Sequence, residues 1–285
     1  MAEWRKCAKF VGSGEESMAS DVGQRTIRDF GDQWSRYPDN SGFFGSHELF
    51  RDIVEPLICE SNLEGMVVAE IGSGAGRVVN MLCRTGVRRV YAVEPSSAAF
   101  SVLRKNVAAH GFRVECLNLR GDELPDNLNL DYVFAIGVVQ FIPSPDATVR
   151  AAFKALNSGG KCFFWLYGKE GNETYLGIVL PLRRITVSLP HFALALLCHG
   201  LNVFLDIYIQ LCRLMALPMR DYVLNVISCL SREKRYLTIY DQLNPTYARY
   251  YTEAEARDLL ARGGFTDIKL YHRHGYSWSV LGTRS

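Results

Sequence analysis

Apolar and polar positions along the 285 residues keep two rhythms. Short, near-continuous apolar runs stand at 67–71, 89–94, 114–119, 130–136, which continues into 137–142, and 161–167. Between them, apolar residues recur at the three-and-four spacing of a helix. Runs of this kind suit strands buried on both faces of a parallel sheet, and the stretches between suit the helices that cover it. Capping residues sharpen the helix starts. Ser46 precedes a helix over 47–54, Ser96 precedes one running to His110 with Gly111 as its stop, and Ser144-Pro145 opens one to Leu156. Thr252-Glu253-Ala254-Glu255 is a capping box whose helix stops at Gly263-Gly264. Strands at 267–272 and 277–282, turned at Gly275, close the chain. The alternation predicts an α/β fold around a mostly parallel sheet.

Two stretches break this rhythm. Residues 1–28 carry no firm periodicity and read as a mobile leader. Residues 171–240 read as a helical insertion, most apolar between Ile185 and Cys212, where Asp206 is the one charged residue. A helix over 192–217, with Pro190 in its first turn, carries His199, Asn202, Asp206, Gln210 and Arg213 as one polar stripe. Three readings compete for its apolar remainder: a transmembrane span, burial against the core or a second subunit, or a lid over an apolar or lipid-like substrate or a membrane-surface helix. Asp206 and the stripe count against a transmembrane span.

Composition excludes several classes. A net charge of +2 is too small for a nucleic-acid footprint. The eight cysteines (7, 59, 83, 116, 162, 198, 212 and 229) include no C-x-x-C pair. Most stand in apolar runs and read as buried thiols of a reducing, cytoplasmic compartment, neither a disulfide framework nor a metal site. The charged N-terminus does not support secretion.

The most informative stretch is Glu70-Ile71-Gly72-Ser73-Gly74-Ala75-Gly76-Arg77, an acid ending a strand, three alternating glycines, then a helix. Such a turn lets a ligand approach bare backbone at a nucleotide-binding crevice. A dinucleotide fingerprint would need glycine where Arg77 stands. Glu94 ends the next strand, 22 residues after Gly72, where a doubly wound fold places a carboxylate for a ribose diol.

E-x-G-x-G-x-G resembles motif I of the class I S-adenosylmethionine (SAM)-dependent methyltransferases, small-molecule type. Phe30-Gly31-Asp32-Gln33-Trp34-Ser35-Arg36-Tyr37 resembles a segment that closes the SAM site in some of them. The L-x-x-G-G-x break before the fifth strand and the terminal hairpin also fit. The resemblance covers roughly residues 30–168 and 241–284. It implies a Rossmann-like parallel sheet with a terminal antiparallel strand, plus the α-helical insertion. The implied organisation is a segment over 1–45 closing the cofactor site, a core over 46–170, a cap over 171–240 and a return to the core over 241–285. It further implies SAM as cofactor, held by Glu70, Gly72, Ser73, Gly74, Gly76, Arg77, Glu94 and Gly137, with Gln33 and Trp34 above. Asp122 would meet the adenine amine, with Glu123 and Asp126 as competitors.

Neither N-P-P-Y nor D-P-P-Y stands after the fourth strand, and no Pro-Cys pair occurs. These absences count against exocyclic amino groups and pyrimidine C5 as acceptors; with the resemblance, the expected acceptor is a small or lipid-like molecule, methylated at oxygen, with no nucleic acid partner. Bases in reach of sequence reasoning are His191, His199, Asp206, Tyr250, His272 and His274; none is assigned. His272 and His274 would share a strand face. Arg249, beside Tyr250 and Tyr251, can meet an anionic or sugar acceptor, though aromatic packing explains the tyrosines as well. A peripheral membrane contact or a homodimer through 185–217 stays open. So do two alternatives: a non-catalytic SAM-binding partner subunit and an NAD-dependent oxidoreductase.

Overall fold

A computed structural model describes residues 21–285. Seven strands make one sheet: β1 (Val67–Ile71), β2 (Arg89–Val93), β3 (Val114–Leu117), β4 (Leu130–Ile136), β5 (Leu156–Tyr167), β6 (Thr266–Arg273) and β7 (Ser277–Thr283). Their order is β3-β2-β1-β4-β5-β7-β6. Neighbours among β1 to β5 run parallel, and β7 is antiparallel to both β5 and β6. The helices are α1 (21–36), α2 (His47–Val54), α3 (Arg77–Arg84), α4 (Ser97–Val107), α5 (Asp146–Ala155), α6 (Glu173–Thr186), α7 (His191–Leu214), α8 (Arg220–Asn225), α9 (Arg232–Leu243) and α10 (Glu253–Arg262).

The predicted periodicities build two apolar layers on the sheet. Phe50 and Val54 of α2, Val79 and Leu82 of α3, and Leu103 of α4 pack on one face. Val149 and Ala152 of α5 and Leu259 and Leu260 of α10 pack on the other. The caps act as expected: Ser46 Oγ accepts from Leu49 N at 3.0 Å, Ser96 Oγ from Ala99 N at 3.4 Å, and Thr252 with Glu255 closes the capping box.

Several boundaries differ from the sequence expectation. Residues 21–28 are helical, continuous with Gln33 and Trp34 in α1, whereas 1–20 lie outside the described residues. β4 stops at Ile136 because Gly137 turns left-handed (φ 76°). Ser144 does not cap α5; Pro145 takes the cap position without a side-chain bond. β5 begins at Leu156 and takes in 157–160, since Gly159 N donates to Arg284 O and Arg284 N to Gly160 O. Four of the described cysteines are buried, but Cys59 and Cys229 are exposed.

Helices α6 to α9 follow β5 and precede α10. Ile209, Cys212, Val223, Ile227 and Leu237 form one small core with Phe44; Leu194, Cys198, Tyr236, Tyr240 and Leu243 form another. Lys234, nearly fully buried, fastens α9 to the 37–46 loop through Asp39. The centre of the α7 stripe faces inward: Asn202 Nδ2 donates to Arg232 O at 2.7 Å, and Asp206 pairs with Arg232 and Arg235. Apolar side chains of α7 are consequently turned to solvent.

Candidate functional site

The chain's turn from β1 into α3 makes the floor of the site. Gly72 and Gly74 take positive φ (74° and 51°), open to glycine without strain. Space demands them as well. A Cβ at Gly72 would lie 2.6 Å from the Val138 side chain, and one at Gly74 3.0 Å from Trp34 Nε1. The loop is clamped from both sides, Asn40 and Asn106 each donating to Ala75 O at 2.8 Å. Glu94 braces it: Oε2 accepts from Gly74 N at 2.9 Å and Oε1 from Ser96 N at 2.8 Å. A carboxylate so held still has lone pairs for a further pair of hydroxyl donors.

Above this floor lies a cavity of about 1430 Å³. Pockets for one small ligand run from about 300 to 1,000 Å³, so this one has room for a cofactor and an acceptor together. Its wall includes Glu70, Gly72, Ser73, Gly74, Arg77, Glu94, Asp122, Gly137 and Trp34. Gly76 turns the loop just behind the wall, and Gln33 reaches the site through Asp241, which lines the cavity and accepts from Gln33 Nε2. Asp122 is paired with Arg120.

Polar atoms wait in this crevice without protein partners: Glu70 Oε2, Gln33 Oε1 and Asn40 Oδ1 are buried and unbonded. Burial pushes the Glu70 carboxyl up to about 8, with Ser73 and Arg77 pulling against it. Burial likewise raises Glu94 above the ordinary carboxylate range. Asp241 is pushed up to about 7 by burial, opposed by its Gln33 bond and the Arg77 charge. A polar, hydrogen-bonding cofactor with a cationic centre fits this donor set, because it would satisfy the orphaned oxygens and favour the ionised carboxylates.

The far chamber is aromatic. Trp165, Tyr167, Tyr175, Tyr222, Tyr250 and Tyr276 line it. Gln242 Nε2 donates to Tyr167 OH at 2.8 Å, Tyr250 OH to Gln242 Oε1 at 3.0 Å, and Arg183 to Tyr250 OH at 2.9 Å. Arg273, 2% exposed, holds Tyr276 OH at 2.6 Å and is neutralised by Asp52. Burial raises the Tyr167 and Tyr222 phenols well above their usual range, so they are hydrogen-bonding walls and not bases.

Of the six candidate bases, the structure brings only Tyr250 to the cavity; no histidine lines it among the described residues. His191 meets Tyr240 OH at 3.0 Å, His199 stacks on Tyr236, and Asp206 is held by arginines. His272 stacks on Trp278, while His274 lies beyond the end of β6, left-handed and bonded to Asp52, so the two do not share a strand face. Arg249 pairs with Glu255, and Tyr251 is core. Sequence reasoning missed Asp241, Tyr167, Tyr222 and Arg273. Only Arg273 left a hint, standing between the two flagged histidines.

Residues 69–164 match the family model described as a methyltransferase domain, which takes in the glycine turn, Glu94 and β4. Over this stretch the chain carries a class I methyltransferase domain, and SAM is the cofactor of that domain. A ubiquinone biosynthesis O-methyltransferase of Idiomarina loihiensis is 26% identical over 172 residues, 59% of this chain and 70% of that protein. One of Pseudomonas fluorescens is 24% identical over 131 residues, 45% of this chain and 56% of that protein. Against most such relatives the match spans little more than half their length. Magnesium protoporphyrin IX methyltransferase from Synechocystis PCC 6803, solved with bound S-adenosylhomocysteine, shares the fold at a TM-score of 0.52 and 17% identity, over 89% of this chain and 94% of that one. The dinucleotide alternative falls away with this family assignment, consistent with Arg77 in the third-glycine position.

Proposed function

We propose that the methyltransferase acts on a hydroxyl oxygen of an apolar small molecule, held in the aromatic chamber beside the cofactor. The observation carrying this reading is the single cavity that joins the glycine turn to a wall of tyrosines and aliphatic cap residues. The named O-methyltransferase relatives support oxygen as the methylated atom. SAM supplies an electrophilic methyl on a positively charged sulfur, and the protein's task is binding and orientation.

In this reading Glu94 accepts the ribose hydroxyls and the bare backbone of Gly72 to Gly74 lies against the cofactor's methionine end. Asp122 and its neighbours flank the adenine. Gln33 and Trp34 close the crevice from α1, and Asp241 faces the acceptor. The chamber would hold the acceptor oxygen in line with the methyl that SAM supplies, so that transfer would leave the carbon–sulfur electron pair on sulfur. The hydroxyl proton passes to Asp241, whose elevated affinity for a proton suits a base near neutral pH. Holding oxygen and methyl in line accounts for several kcal/mol of barrier, about 7–11 at best.

The test uses methyl-tritiated SAM with apolar phenols and alcohols, beside amines and thiols of the same skeletons. Label transfer to the hydroxyl compounds is expected; transfer confined to amines or thiols would overturn the assignment. Asp241→Asn, which keeps an acceptor for Gln33, should lower kcat by roughly 10²–10⁴ with SAM affinity little changed.

A further inference from the structure

The α7 surface inverts what a soluble helix normally shows. Asn202 and Asp206 are turned into the protein, whereas Phe192, Leu196, Phe204 and Leu214 are 76%, 74%, 70% and 82% exposed. The exposure continues along α6 and the turn after it, through Ile178, Ile185 and Val187. Single exposed apolar residues are ordinary, but a contiguous face of this kind marks a contact. Ile178, Phe204, Ile207 and Leu211 belong to this face and also line the cavity, so the face surrounds the cavity's mouth.

We propose that the α6–α7 face docks on an anionic lipid bilayer, and that the apolar acceptor enters the cavity from the lipid. Three observations choose this occupant. First, a second copy of the chain seated here would stop the mouth, whereas a bilayer delivers an apolar molecule directly to it. Second, the exposed charges on α6 and α7 are Arg184 and Arg213, with Glu173 alone against them at the far end of α6; Asp206, the remaining acid, is partly exposed and neutralised by Arg232 and Arg235 of α9. Basic residues beside an apolar face are the pattern of a helix lying in an anionic interface. Third, α7 is long and apolar enough to cross a membrane, yet it buries Leu194, Cys198, Ile209 and Cys212 against the protein and ties Asn202 and Asp206 to α9. It therefore lies along the surface and does not span. The entry route rests on the proposed function; the docking does not.

The test is sedimentation of the full chain with vesicles of phosphatidylcholine alone and with about one quarter phosphatidylglycerol. Phe192→Asp and Leu196→Asp serve as variants off the cavity wall, with SAM titration and circular dichroism alongside. Wild type should sediment with the anionic vesicles. Each aspartate should weaken binding about tenfold or more, and Arg184→Glu about fivefold on anionic vesicles only, with SAM affinity unchanged. Wild type remaining in the supernatant with both vesicles would overturn the proposal. So would a solution dimer that Leu196→Asp dissociates, which would give the face to a second copy. Vesicle binding by wild type without SAM binding would uphold the docking and overturn the proposed function.

Discussion

Glu94→Gln tests the floor of the site in two separable ways. In the free protein, both carboxylate oxygens accept buried backbone N–H groups, from Gly74 and Ser96. Glutamine keeps one acceptor and turns an NH2 toward the other donor. An unpaired buried donor costs about 1–3 kcal/mol. Part of this is recovered, because burial already penalises the ionised carboxylate and raises its proton affinity. A net loss of about 1 kcal/mol in stability near neutral pH is expected. The sign with pH follows from the raised folded value. Above the ordinary carboxylate value the folded state keeps a proton the unfolded state loses, so the wild type loses stability as pH rises through that window, and the variant lacks this slope. For the cofactor, two bonds to an anionic acceptor become bonds to a neutral amide, roughly halving each. That is about 2–3 kcal/mol, or about 30- to 150-fold in Kd. Calorimetric titration with SAM gives the affinity and urea melts give the stability. Glu115→Gln, at an exposed ion pair on β3, serves as the control with little change in either. A Glu94→Gln Kd within about threefold of wild type would refute the ribose role.

Asp241, raised from its ordinary 3.8 to about 7, should make wild type lose stability as pH rises through that interval; urea melts of Asp241→Asn should lack that slope. In turnover the wild type should gain activity up to an apparent pKa at or below about 7, and the Asn variant should lose this limb from its pH–rate profile. Asp52→Ala leaves the buried Arg273 without its carboxylate and should cost about 3–5 kcal/mol, read by urea midpoint. Tyr167→Phe frees Gln242 from its acceptor and should cost about 1 kcal/mol of stability while raising acceptor KM more than it changes SAM affinity.

The parallel core was legible because its signals are local. β1 and β4 are near-continuous apolar runs, Ser46 and Thr252 cap within three residues, and the Gly72–Gly76 turn needs positive φ within five positions. Glu94 was reachable because a fixed strand–helix–strand length sets its distance from the turn. Asp241 and Tyr167 were not, since they come together through the packing of α9 over the C-terminal end of β5, a long-range contact without spacing. The histidines misled for the same reason: residue type suggested chemistry, while Tyr236, Tyr240 and Trp278 had already taken their rings. For α7 the periodicity was right, but it takes the Asn202 bond to Arg232 and the ion pairs of Asp206 with Arg232 and Arg235 to tell which side of the stripe meets the protein.

The proposed placement of SAM on the cavity floor, between the Gly72–Gly76 turn and Glu94, carries the rest of the mechanism. Its most direct measurement is calorimetric titration of SAM into wild type and Gly74→Arg, both verified as folded by circular dichroism. A Cβ at Gly74 already meets Trp34 Nε1 at 3.0 Å, so an arginine there fills the crevice. Saturable one-to-one binding by wild type, abolished in Gly74→Arg, is the predicted result. Equal binding by the two proteins would contradict the account.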